Sequence, residues 1–258
     1  MDLMPGDISL SLLVFSFAVA MLAGFVKGVI GFAFPTIMIA VLGAIMPPEQ
    51  ALAWLLLPTV TTNLWQSVRQ GVKAMWKTMR KYGVFLVAGC VVIIPSAQIV
   101  PVMPPGVMQL LISVPVLIYA ITTLAGNPVR LPQNPGRGIE AGVGAVAGFF
   151  GGISGTWGPP TAAFLTALNT KKAEQVRIQG IIYFPAAVVL ALSHLYSGVL
   201  NADTIPASAL MIVPAMLGIV MGLKMNDRIR QSTFQRITLI ALILAGTNLA
   251  ARGFWSIV

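Results

Sequence analysis

Long apolar runs separated by short polar interruptions set the pattern of this chain. Five runs fill the first half, at about 8–26, 34–46, 51–68, 82–100 and 106–125, here called segments a to e. A second series follows at 141–150, 159–168, 178–200, 205–223 and 234–255, segments a′ to e′. A bilayer core of roughly 30 Å needs about 20 apolar residues rising ~1.5 Å each, so the chain has room for about eight to ten spans joined by short loops. The pattern predicts an all-α integral membrane protein. Segments b and b′ are too short for a full crossing, at roughly 15–20 Å of helix, and are expected to enter only part way. The longest polar and Pro/Gly-rich connection, residues 126–138, separates the series, giving membrane repeat 1 at 1–125 and membrane repeat 2 at 126–258 within one integrated transmembrane domain.

Internal similarity supports that division. Sliding the sequence until Ala23 meets Ala147 also aligns Gly24 with Gly148, Phe25 with Phe149, Gly28 with Gly152, Gly31 with Gly155 and Pro35 with Pro159. One residue of slippage later, Glu49-Gln50 falls on Glu174-Gln175. Small residues that let membrane helices pack closely explain part of this match, and duplication explains its register.

Loop charge is a second line of evidence. Arg69, Lys73, Lys77, Arg80 and Lys81 fill the c–d connection, whereas the c′–d′ connection has no Lys or Arg. The d–e connection is uncharged, while d′–e′ carries Lys224, Arg228, Arg230 and Arg236; b–c is Pro47-Pro48-Glu49, but b′–c′ holds Lys171, Lys172 and Arg177. Basic loops therefore swap position between the halves. If basic loops are cytoplasmic, the two repeats are inverted, and both termini are expected outside a bacterial inner (plasma) membrane.

Composition narrows the chemistry. With 57% hydrophobic and 9% charged residues and a mean hydropathy of +0.89, the chain needs lipid as its solvent. The net charge of +9 is read as loop topology, which removes the case for a nucleic-acid partner. Cys90 is the single cysteine, so an internal disulfide, a CxxC pair and a Cys-rich metal site are excluded, and no cofactor is expected. Asp2, Asp7, Glu49, Glu140, Glu174, Asp203 and Asp227 all map to loops or segment ends. Cation pathways and proton relays use carboxylates inside the span, so this placement argues against both.

The candidate site lies where helices break. Gly28, Gly31 and Pro35 in the first half, and Gly151, Gly152, Gly155, Gly158, Pro159 and Pro160 in the second, predict unwound backbone at membrane depth. Such backbone must face protein or a watery cavity. A helix restarting at the proline presents free N–H groups and the positive end of its dipole, which suits an anion. Hydroxyl and amide groups nearby add donors. The expected substrate-binding set is Gly28, Gly31, Pro35, Thr36, Asn63, Gly152, Ser154, Gly155, Thr156, Pro159, Thr161 and Gln179, with Thr61, Thr62 and Gln66 close by. Lys27 is expected to snorkel to an interface.

The twin AGFxxGxxGxxxP runs, with Glu49-Gln50-Ala51 and Glu174-Gln175-Val176 after each short helix, resemble the TauE/SafE sulfite exporter family of membrane permeases. The resemblance covers essentially the whole chain. It implies paired helical hairpins at a–b and a′–b′ around a central site, and export of sulfite, an organosulfonate or a related small organic anion. The halves depart from each other where Lys27 faces Gly151 and Phe34 faces Gly158, so the two turns are not expected to contribute equally.

Three other readings compete. Broken helices also line channels, so an anion channel is the first. Gly152-Ile153-Ser154-Gly155 spells the GxSG of intramembrane serine proteases, with His194 as base, although the aligned Gly28-Val29-Ile30-Gly31 explains it as repeat glycine. The third is a purely structural role. The sequence leaves the oligomeric state open, homodimer included.

Overall fold

The computed structural model describes residues 9–43, 45–97, 105–127, 130–132, 135–154, 158–196 and 198–255. These residues form helices and no strand. Segments a, b and c become α1 (Leu10–Ile30), α2 (Phe34–Leu42) and α3 (Pro48–Val68). Next come α4 (Val72–Lys81), α5 (Gly83–Ala97, segment d) and α6 (Pro105–Leu124, segment e). The second series forms α7 (Arg137–Ser154), α8 (Gly158–Ala167), α9 (Lys172–Tyr196), α10 (Ile205–Arg228) and α11 (Gln231–Trp255). Helices α1, α9, α10 and α11 are long and apolar enough to cross a membrane. The short segments are short helices, nine residues in α2 and ten in α8.

Local chemistry sets several helix ends. Ser9 caps α1, its Oγ accepting the Leu12 N–H at 3.2 Å. Prolines open α2, α3 and α10, where a missing N–H costs nothing. Asn169, at φ 51, ends α8 in a left-handed turn in which Thr170 N–H reaches Leu165 O at 3.0 Å and Asn169 N–H reaches Thr166 O at 2.9 Å.

Two expectations are corrected. Segment a does not end near residue 26 but stays helical through Ile30, so Gly28 is helical rather than unwound. The basic c–d connection, read as a loop, contains α4, whose Val72, Lys73, Trp76, Lys77 and Arg80 are exposed while Thr78 is buried. Such an amphipathic basic helix suits a membrane surface, and its charge hid it from an apolar-run reading. Trp54 is a core residue at 1% exposure.

The helices gather into two compact units, each drawing on both series. One holds α1, α2, α3 and α10 with α9 from Val176 onward. Here α1 lies parallel to α10: a Cβ at Gly24 would overlap the Ala215 carbonyl, one at Gly218 that of Met21, and one at Gly222 that of Phe25. Close approach through small residues is how helices associate where lipid competes equally for apolar surface. Gly28 belongs to this seam, against Ile219 and Gly222. Beneath it Phe34, Met38 and Leu42 of α2 pack with Trp54, Leu55 and Leu56 of α3 in one apolar core. At the unit's polar end Arg69 pairs with Asp227 and Arg177 donates to Gln70, so α3 ends where α9 begins.

The other unit holds α4 to α8, the first turn of α9, and α11. In it α7 lies parallel to α5, with Gly144 seated on Phe85 and Gly148 on Gly89. Helix α8 is buried almost throughout, and Phe164 stacks on Phe85 with ring centroids 5.3 Å apart. Leu131 of the 126–138 connection donates its N–H to Ala167 O at 2.9 Å, satisfying a carbonyl at the end of α8.

Candidate substrate site

The break expected in the first half is confined to residues 31–33. Gly31 ends α1 in the left-handed region, φ 91, and its N–H returns to Lys27 O at 2.7 Å. Ala33 is also left-handed, φ 80, a conformation that L side chains adopt at a cost of about 1–2 kcal/mol. Helix α2 then restarts at Phe34 with Pro35 in its first turn and no side-chain cap. Local strain of this kind persists where surrounding structure holds it, and it collects at working sites.

Buried amides surround the joint. Gln66 of α3 donates its Nε2 to Gly31 O at 3.2 Å. Gln179 of α9 lies against the open face of Gly31, so close that a Cβ there would overlap its Oε1. Gln179 is fully buried, yet among the described residues neither its Oε1 nor its Nε2 has a hydrogen-bond partner, and Gln66 Oε1 has none either. Unpaired buried polar atoms cost about 1–3 kcal/mol each and call for an explanation, such as a site that binds a polar ligand. Gly180 lets α9 approach this closely, since a Cβ there would overlap Gln66.

Lys27 corrects the sequence reading most sharply. It does not snorkel: at 1% exposure it is among the most buried large side chains. Its Nζ donates to Thr62 Oγ1 at 2.8 Å and to Asn63 Oδ1 at 2.5 Å, and it lies 5.7 Å from the centre of the Phe34 ring. Both acceptors are themselves oriented. The Thr62 hydroxyl donates to Pro58 O at 2.6 Å, and Asn63 Nδ2 donates to Tyr183 O at 3.2 Å, which turns the amide oxygen toward Lys27. A signal for this was present in the sequence. Ser16, Ala20, Ala23, Lys27 and Ile30 repeat at helical spacing, and a lysine on a stripe of small residues faces protein rather than lipid.

Of the expected residues, the structure brings Gly31, Asn63 and Gln179 together, joined by Lys27, Thr62 and Gln66. Pro35 and Thr36 open α2, with Thr36 exposed. Gly28 sits one turn back in the α10 seam. In the second half α7 closes at Ser154, with Gly152 inside it, and α8 opens at Gly158. Pro159 is buried, and Thr161 is fully buried with no partner for its Oγ1 among the described residues. Gly155, Thr156 and Trp157 lie outside the described residues.

A cleft of about 270 Å³ opens at the basic end of the other unit, between Tyr82, Asn169 and Lys171. Lys81 and Glu174 line it and pair at 3.1 Å. Partial burial pulls the Lys81 ammonium down, but the Glu174 and Tyr82 partners outweigh it and the group is raised overall. Glu174 thus supplies a counter-charge on this rim, with Lys171 beside it.

One protein-family model, described as Sulfite exporter TauE/SafE, matches residues 16–249. No curated protein and no solved structure matches the chain.

Proposed function

From the chain's membership of the TauE/SafE sulfite exporter family, whose members are membrane transporters and not enzymes, we propose that it exports a small anion by alternating access. The substrate class is sulfite, an organosulfonate or a related organic acid. The membrane is the bacterial inner membrane, with both termini outside. Family membership also removes the protease reading, leaving Ser154 and His194 without a catalytic role.

One observation carries the site assignment: a helix interrupted at 31–33 against buried, unsatisfied amides. A helix restart offers the positive end of its dipole, and Gln179 offers amide N–H groups, both suited to an anion. By alignment, Pro159 and Thr161 at the start of α8 belong to the matching element of the second repeat. Gly152, Ser154, Gly155 and Thr156 complete it.

Alternating access draws support from pairings inside each unit. Segment a lies parallel to d′ in one, and a′ lies parallel to d in the other, the reciprocal pairing of two repeats that exchange helices. The end of α3 meets the start of α9, so c and c′ point oppositely. Counterflow in liposomes loaded with unlabelled sulfite tests the carrier. Labelled sulfite accumulates transiently and saturably if the reading holds; flux that is linear in concentration without counterflow assigns a channel instead.

A further inference from the structure

Lys27 is the one charged side chain fully buried among the described residues, and no carboxylate there is buried with it. Its two acceptors, Thr62 Oγ1 and Asn63 Oδ1, are neutral. An ammonium has three N–H donors, and these two contacts use two of them. A buried cation is normally balanced by a partner of opposite charge, and an intramembrane one marks a substrate path. Both acceptors are pinned from behind, by Pro58 O and Tyr183 O, so the ammonium is held in place by an arrangement that supplies no negative charge. One residue class is missing from this cluster, and the transported anion supplies it.

Resting on the anion-carrier reading above, we infer that Lys27 is the charge anchor of the substrate, and that its single positive charge makes the carrier selective for monoanions. The third N–H of Lys27 pairs with a sulfonate or carboxylate oxygen, and the Gln179 amide, unpartnered beside Gly31, donates to another. A monoanion and Lys27 together are neutral, so the loaded site has no net charge to desolvate. A dianion leaves one negative charge buried without a counter-ion, which low-dielectric surroundings penalise. Sulfite, which divides between singly and doubly charged forms near neutral pH, enters as hydrogen sulfite.

The test uses purified protein in liposomes, with methanesulfonate as the monoanion and 1,2-ethanedisulfonate as the dianion. Wild-type protein is expected to prefer methanesulfonate by at least about tenfold in apparent affinity, the scale of one charge-assisted hydrogen bond. Lys27→Met, similar in length and apolar, is expected to fold, to elute as wild type does, and to weaken methanesulfonate transport about 100-fold. Lys27→Arg keeps the charge and retains measurable transport. The exposed Lys73→Met leaves transport unchanged. If Lys27→Met transports methanesulfonate as well as wild type does, the anchor is refuted while the carrier reading stands. Equal transport of the two sulfonates by wild-type protein overturns the monoanion selectivity independently of any variant. No transport of any anion by wild-type protein removes the carrier reading and this inference together.

Discussion

At the scale of single residues, the joint depends on what Gly31 lacks. Its φ of 91 places it where only glycine is unstrained, and its open face is filled by Gln179. Gly31→Ala therefore carries two penalties, about 1–2 kcal/mol for left-handed backbone and a further cost for displacing Gln179. Gly126 is the matched control, with φ 93 and nothing among the described residues within 4 Å of an added Cβ. Thermal melting of the purified variants is expected to rank Gly31→Ala clearly below Gly126→Ala. Equal losses would show that Gln179 does not pack on the joint. Ala33, left-handed without being glycine, gives the opposite expectation: Ala33→Gly removes the conformational strain and leaves the melting temperature unchanged or higher.

Among elements, the seam between α1 and α10 holds one unit together through Gly24, Gly28, Gly218 and Gly222, and the seam between α5 and α7 does the same for the other through Gly89, Gly144 and Gly148. Leucine at Gly222 cannot be accommodated without separating backbones that touch. Gly222→Leu is expected to destabilise the protein by at least about 1–3 kcal/mol, read as a lower midpoint in a detergent melt. The apolar runs made each of the ten segments legible, because a helix facing lipid must be apolar over a whole span. Helix α4 was missed because it is charged along one face and lies among basic residues that read as loop. The extent of unwinding was overestimated. Gly28 serves helix packing rather than a break, and a sequence shows a glycine's presence but not which of these uses it has. Lys27 reads as a snorkelling residue because its length allows that; the stripe of small residues it shares points inward, and the contacts with Thr62 and Asn63 fix that direction.

For the whole molecule, each compact unit mixes the two series, with a beside d′ and a′ beside d. That arrangement is expected of inverted repeats that exchange helices, and it predicts termini on the same, outer, side of the membrane. A reporter fused after Val258 is expected to be active only outside; a cytoplasmic signal contradicts the inversion. The central claim is that the interrupted helix is the anion's binding place and is reached in turn from either face. Its most direct test is a cysteine at Thr36, in the first turn of α2, in a background where the exposed Cys90 is replaced by serine. An impermeant maleimide applied separately from each face is predicted to react from both, with sulfite slowing the reaction. Reaction from one face only, under all conditions and indifferent to sulfite, contradicts the account.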